Sequence, residues 1–135
     1  MTHLAAYLGA LAALAVLDTI VLTQIMRPLF ERHVPQLLAS RPDLAAGAVF
    51  YIVYAGGIVW FAARPALAGG WGWAAVIGTG AALGALAFST FELTSKAVLE
   101  GWSWRLVAID TAWGATMTAA AALAAVSAAR IVTPA

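Results

Sequence analysis

The sequence predicts an all-α fold, an integral-membrane four-helix bundle, on three observations. Of 135 residues, 64% are hydrophobic and only 10% are charged, whereas a soluble domain usually carries about 25% charged residues to cover its surface. Mean hydropathy is +0.92. The apolar residues gather into four segments, each near or above the roughly 20 residues that cross hydrocarbon at about 1.5 Å per residue. Lipid has no water to bond an exposed backbone, and a helix bonds its own. Strands would need alternating stretches of about ten residues and a closed barrel, so helices are preferred.

The first segment covers about residues 4–26 and is expected to stop at Arg27-Pro28. Its start, Met1-Thr2-His3, lacks Lys or Arg, and the apolar run exceeds the roughly 7–15 residues of a signal-peptide core. It therefore reads as a retained span. A polar connection over 27–43 follows, with Glu31, Arg32, His33, Pro35 and Arg41-Pro42-Asp43 among Leu29, Phe30, Val34, Leu37 and Leu38. That mixture suits a short helix lying at the interface, limited by Pro35. The second segment covers about 44–63 and is expected to end at Arg64-Pro65. The third covers about 71–95, stopped by Lys96, and the fourth about 104–129, before Arg130. All four make one transmembrane domain over 1–135.

Orientation follows from the basic residues. Arg27, Arg32, Arg41, Lys96 and Arg105 fall on one side, Arg64 and Arg130 on the other. The positive-inside rule places connections 27–43 and 96–103 in the cytoplasm and both termini outside it. Trp71, Trp73, Trp102 and Trp104 open the third and fourth spans, where tryptophans usually anchor to the interface. Gly80 and Gly84 form a G-x-x-x-G step that lets helix backbones approach closely. That face could pack inside the bundle or mediate a homodimer.

Composition also excludes chemistry. There is no cysteine, hence no disulfide, thiolate metal site or cysteine nucleophile. His3 and His33 are the only imidazoles, so neither a metal nor another cofactor is expected. The net charge of +1, without a basic tract, gives no sign of nucleic acid as a partner.

What remains is acidic. Asp18, Glu92 and Asp110 lie in or at the edge of spans, where a charge costs about 3 kcal/mol on insertion scales. Asp18 precedes Arg27 by nine residues, about 13 Å of helix rise. Glu92 precedes Lys96 by four, about 6 Å, and Asp110 follows Arg105 by five, about 7.5 Å. In an antiparallel bundle the three fall in the same half, at a depth that Tyr51 and Tyr54 also reach. Two structural explanations compete with a functional one. Glu92 and Lys96, spaced i,i+4 with Glu first, suit an ordinary helical ion pair. Asp18 and Asp110 could simply bond to Tyr51, Tyr54, Thr19, Thr94 or Trp113 and hold the bundle together. In the functional reading the acids line a polar cavity open to the cytoplasm. A carboxyl withdrawn from water beside a second one can take up and release a proton, or act as a general acid or base. Trp113 lies one turn from Asp110 and Gly114 would open space beside it, giving an aromatic wall and a gap for a cationic or lipid-like ligand. The candidate ligand-binding or proton-relay residues are thus Asp18, Asp110, Glu92, Tyr51, Tyr54 and Trp113; no catalytic residue is singled out.

Several motifs share a pattern. They are Leu17-Asp18, Phe50-Tyr51-x-x-Tyr54-x-Gly56, Arg64-Pro65-Ala66-Leu67, Gly80-Ala81-x-x-Gly84, Ser89-Thr90-Phe91-Glu92-Leu93-Thr94, Gly101-Trp102 and Asp110-x-x-Trp113-Gly114. Together they resemble a bacterial family of small inner-membrane proteins known as domain of unknown function 2177. The resemblance covers nearly the whole chain and implies a bacterial inner-membrane location, but no activity. Members usually follow Leu-Asp with Trp-Leu-Gly, where this chain has Ile20-Val21-Leu22-Thr23. Their Tyr-Asp-Leu-Thr-Asn appears here as Phe91-Glu92-Leu93-Thr94-Ser95, which keeps the acid but loses a hydroxyl and an amide.

Three functions are consistent with these residues. One is a small carrier or binding protein whose acids couple proton movement to a small molecule. Another is a membrane-embedded enzyme, or accessory to one, acting on lipid. The third is a structural or assembly factor of a membrane complex. Whether the chain is an enzyme is left open by the residues.

Overall fold

Each apolar segment forms a helix in the computed structural model, which describes residues 1–134. Helix α1 runs Thr2–His33, α2 Leu44–Gly69, α3 Trp73–Val98 and α4 Trp104–Val132, and all four are long and apolar enough to cross a membrane. There is no strand among the described residues.

Two helices run further than the prolines suggested. In α1 the regular helix Thr2–Val21 opens into a wide π turn at Leu22–Met26 and resumes as Arg27–His33. In α2 the same device recurs: a π turn at Val59–Ala63 precedes Arg64–Gly69. Pro28 and Pro65 each lack an N–H, and their rings would clash with the carbonyl four residues back in a regular helix. Widening the preceding turn moves that carbonyl away, so the helix continues through the proline. In lipid this is preferable to a break, which would strand unbonded backbone. The expected stops at Arg27-Pro28 and Arg64-Pro65 are thus corrected. The connection at 27–43 is helical to His33, followed by a 3₁₀ turn at Pro35–Leu37.

The other boundaries have ordinary causes. Asp43 accepts from the Ala46 N–H at 3.0 Å and caps α2, and Ser103 Oγ accepts from the Leu106 N–H at 3.1 Å and caps α4. Gly70, at φ 61°, closes α2 with a left-handed residue.

Helix α4 is the hub, packed along both α1 and α3, while α2 is the outermost helix. Small residues set the spacing. Ala6 and Ala10 of α1 belong to the same buried core as Ala121, Ala122 and Ala125 of α4. A Cβ at Gly9 would lie 2.7 Å from the Ala124 carbonyl oxygen. Gly80 and Gly84, considered above as a homodimer face, are buried against α4 of their own chain. A Cβ at Gly80 would lie 2.8 Å from Ala119 Cα. That surface is spent inside the molecule and is not open to a second copy.

At the end holding Met1 and Thr133, Arg130 Nη2 donates to the Trp71 carbonyl at 2.8 Å. Its guanidinium lies 4.6 Å from the Trp73 ring centroid. At the opposite end Phe30 packs on Trp102, centroids 5.7 Å apart, within a second apolar cluster of Met26, Leu29, Val34, Leu106 and Val107. Trp102 is therefore buried, not an interfacial anchor as its position suggested. Trp104 remains exposed.

Candidate functional site

The acids lie near the end where α1 and α3 finish and α2 and α4 begin. Asp18, half-buried on the last turn of α1 before its π turn, takes bonds from two other helices. Tyr51 Oη of α2 donates to its Oδ2 at 2.9 Å, and Trp113 Nε1 of α4 donates to its Oδ1 at 3.3 Å. Charge-assisted bonds of this kind hold a carboxylate that has left water. Tyr54, one turn beyond Tyr51, instead shares a 2.7 Å hydrogen bond with Thr118 Oγ1 of α4.

Glu92 is fully buried on α3. Trp102 Nε1, from the turn between α3 and α4, donates to its Oε2 at 2.8 Å, and its Oε1 has no donor. The ion pair with Lys96 suggested by their spacing does not form. The Lys96 ammonium sits 5.5 Å from the Trp104 ring centroid. Among the described residues the one salt bridge is Arg27–Glu31 at 3.2 Å, on the exposed surface, where such pairs contribute little. Helical spacing was compatible with pairing, but Trp102 folds back under Phe30 and draws the carboxylate inward.

Asp110 is the other buried acid, 7% exposed, and it faces Glu92 across the α3–α4 seam, one turn beyond the Phe88–Gly114 contact. Two ionised carboxylates are both acceptors and cannot bond one another. A direct contact between them needs a proton in between, as in other paired carboxyl sites.

Above Asp110 opens a cavity of about 390 Å³. Asp18, Leu22 and Met26 line it from α1, Phe50 and Tyr54 from α2, and Phe88 and Phe91 from α3, with Asp110 of α4 at its floor. Leu22 and Met26 belong to the π turn, so the widened helix forms part of the wall. No basic residue lines the cavity. Tyr51, Trp113 and Glu92 stand behind it, bonded to or facing the acids that do line it. The space expected beside Trp113 at Gly114 is filled: a Cβ there would lie 2.6 Å from Phe88 Cβ. No group of three His, Asp or Glu side chains gathers as metal ligands among the described residues.

Sequence reasoning passed over Trp102, Thr118 and the phenylalanine walls. Thr118 was readable, because Asp110, Gly114 and Thr118 recur every four residues on one face of α4. The phenylalanines carry no such mark, since a phenylalanine in an apolar span looks the same whether it meets lipid or a cavity.

Comparison with curated proteins and with solved structures finds no match to the chain. Residues 3–127 match the family described as predicted membrane protein, DUF2177, and the chain belongs to that family.

Proposed function

We propose that this protein binds a small organic cation inside the membrane, and that the Glu92–Asp110 pair releases its proton as the cation enters. The observation that carries this reading is the cavity itself, with aromatic walls, two carboxyl groups and no basic side chain. Aromatic faces and carboxylates both attract cations, and each is stronger away from water. Asp18 already receives two donors, whereas Asp110 lines the cavity beside the buried Glu92. The charge balance is simple: one positive charge enters, one proton leaves Glu92 or Asp110 for solvent, and the net charge of the occupied site is unchanged. A protein that trades a proton for a cation has the chemistry of a proton-coupled carrier. The charge bias among the basic residues supports a cytoplasmic position for the cavity end.

The Gly80–Gly84 face is enclosed by α4 and offers no surface to an assembly partner. Lipid chemistry would use the same acids and would be revealed by turnover of a bound amphiphile.

The test compares tetraphenylphosphonium with neutral triphenylphosphine oxide on purified protein in mild detergent. The cation should bind at least tenfold tighter, about 1.4 kcal/mol. Its affinity should weaken as pH falls, because protons compete for the pair. The titratable groups at the site are Asp18 on α1, Tyr51 and Tyr54 on α2, Glu92 on α3 and Asp110 on α4. Equal binding of the two probes would refute the proposal.

A further inference from the structure

We infer that the ligand is a single-chain amphiphile whose cationic head lies at Asp18 and Asp110 and whose alkyl chain runs along α2. This rests on the cation-binding reading above and adds a second, adjoining cavity to it. That cavity, of about 520 Å³, follows one face of α2 past Val49, Val53 and Gly57 to Phe61, with Leu83 of α3 on its far side. It shares Phe50 and Tyr54 with the acid-lined cavity, so the two adjoin at these side chains. No charged residue lines it, and the Tyr54 hydroxyl is already bonded to Thr118. From Phe50, shared with the acid-lined cavity, to Phe61 the lining spans 11 residues of α2, about 16 Å of helix rise. Half of a hydrocarbon core of about 30 Å is about 15 Å, so the groove can take a chain of one leaflet's depth.

Charge and shape restrict the head. Two carboxyl groups without a basic neighbour repel phosphate or carboxylate, which argues against the anionic group of an ordinary phospholipid. One groove takes one chain. At Gly57 a Cβ would meet nothing within 4 Å, so the bare backbone leaves a gap midway along the path.

That gap provides the test. Binding of ethyl-, octyl-, dodecyl- and hexadecylammonium is measured for the wild type and for Gly57→Phe, which fills the groove without touching the acids. The ratio of the two dissociation constants cancels partition into detergent. It should stay near unity for the short ion and reach tenfold or more for the long ones, while tetraphenylphosphonium binding is unaffected. Val53→Trp, one turn earlier on the same exposed face, should act alike and guards against a folding defect in the first variant. A ratio that is flat with chain length, while tetraphenylphosphonium still binds, overturns the two-part site and leaves cation binding standing. Loss of all cation binding in the wild type removes the reading beneath it. A change in oligomeric mass on Gly57→Phe would show that a second copy fills the groove, and would overturn the proposal as well.

Discussion

Gly84→Leu should be the most destabilising single change in the bundle, lowering the thermal midpoint in mild detergent by many degrees. Its Cβ would lie 2.6 Å from Thr118 Oγ1 and 2.7 Å from the Gly114 carbonyl carbon, and it would overlap the Gly114 carbonyl oxygen. Flexible side chains can yield to an intruding group, but a helix backbone moves only as a whole. Overpacking ordinarily costs about 1–3 kcal/mol, and a backbone obstacle places this case at or above the upper end. The damage would reach the site, because Thr118 holds Tyr54 and Tyr54 lines the cavity. Gly78 is the internal control. It lies on the same helix, and a Cβ there meets nothing within 4 Å, so Gly78→Leu should leave the midpoint almost unchanged. Similar midpoints for the two variants would mean that α3 and α4 do not touch where the structure places them.

Asp110→Asn should weaken tetraphenylphosphonium binding at least tenfold and abolish its pH dependence, with the fold intact. Asparagine has nearly the same shape and can donate to Glu92 where the shared proton did, so the buried contact survives. What it lacks is the charge. At an effective dielectric of about 20, a unit charge about 5–8 Å from a cation is worth about 2–3 kcal/mol. Asp18→Asn should cost less, because the Asp18 charge is already balanced in part by Tyr51 and Trp113. Affinity and pH profile, measured for both variants, check this order. Equal losses would imply that the acids act as a diffuse negative field and not as a site with a distinct floor.

How much of this could be read from the sequence depends on which interaction decided each feature. The four helices were legible because their cause is local: long apolar runs between polar breaks. The common depth of Asp18, Glu92 and Asp110 was legible too, since helix rise is fixed. The prolines misled because Pro28 and Pro65 end helices in water, while lipid favours a wide turn that preserves backbone bonding. Glu92 misled because i,i+4 spacing shows which side chains can meet but not which partner wins. The winner, Trp102, follows Gly101 at φ 82°, a left-handed turn that folds the tryptophan back onto α3. Gly80 and Gly84 signalled close approach correctly without naming the partner, since a small-residue stripe fits α4 or a second copy equally well. The cavity was the least legible feature. It exists because α2 stands off from α3 near its start, and that separation comes from the packing of all four helices.

On the proposed function, a cation entering the cavity displaces a proton held between Glu92 and Asp110. Calorimetric titration of tetraphenylphosphonium into the purified protein, in two buffers of different ionisation enthalpy, counts that proton directly. The account predicts about one proton released per cation bound, as linkage between the two equilibria requires. Cation binding with the same heat in both buffers, and so no proton released, would contradict it.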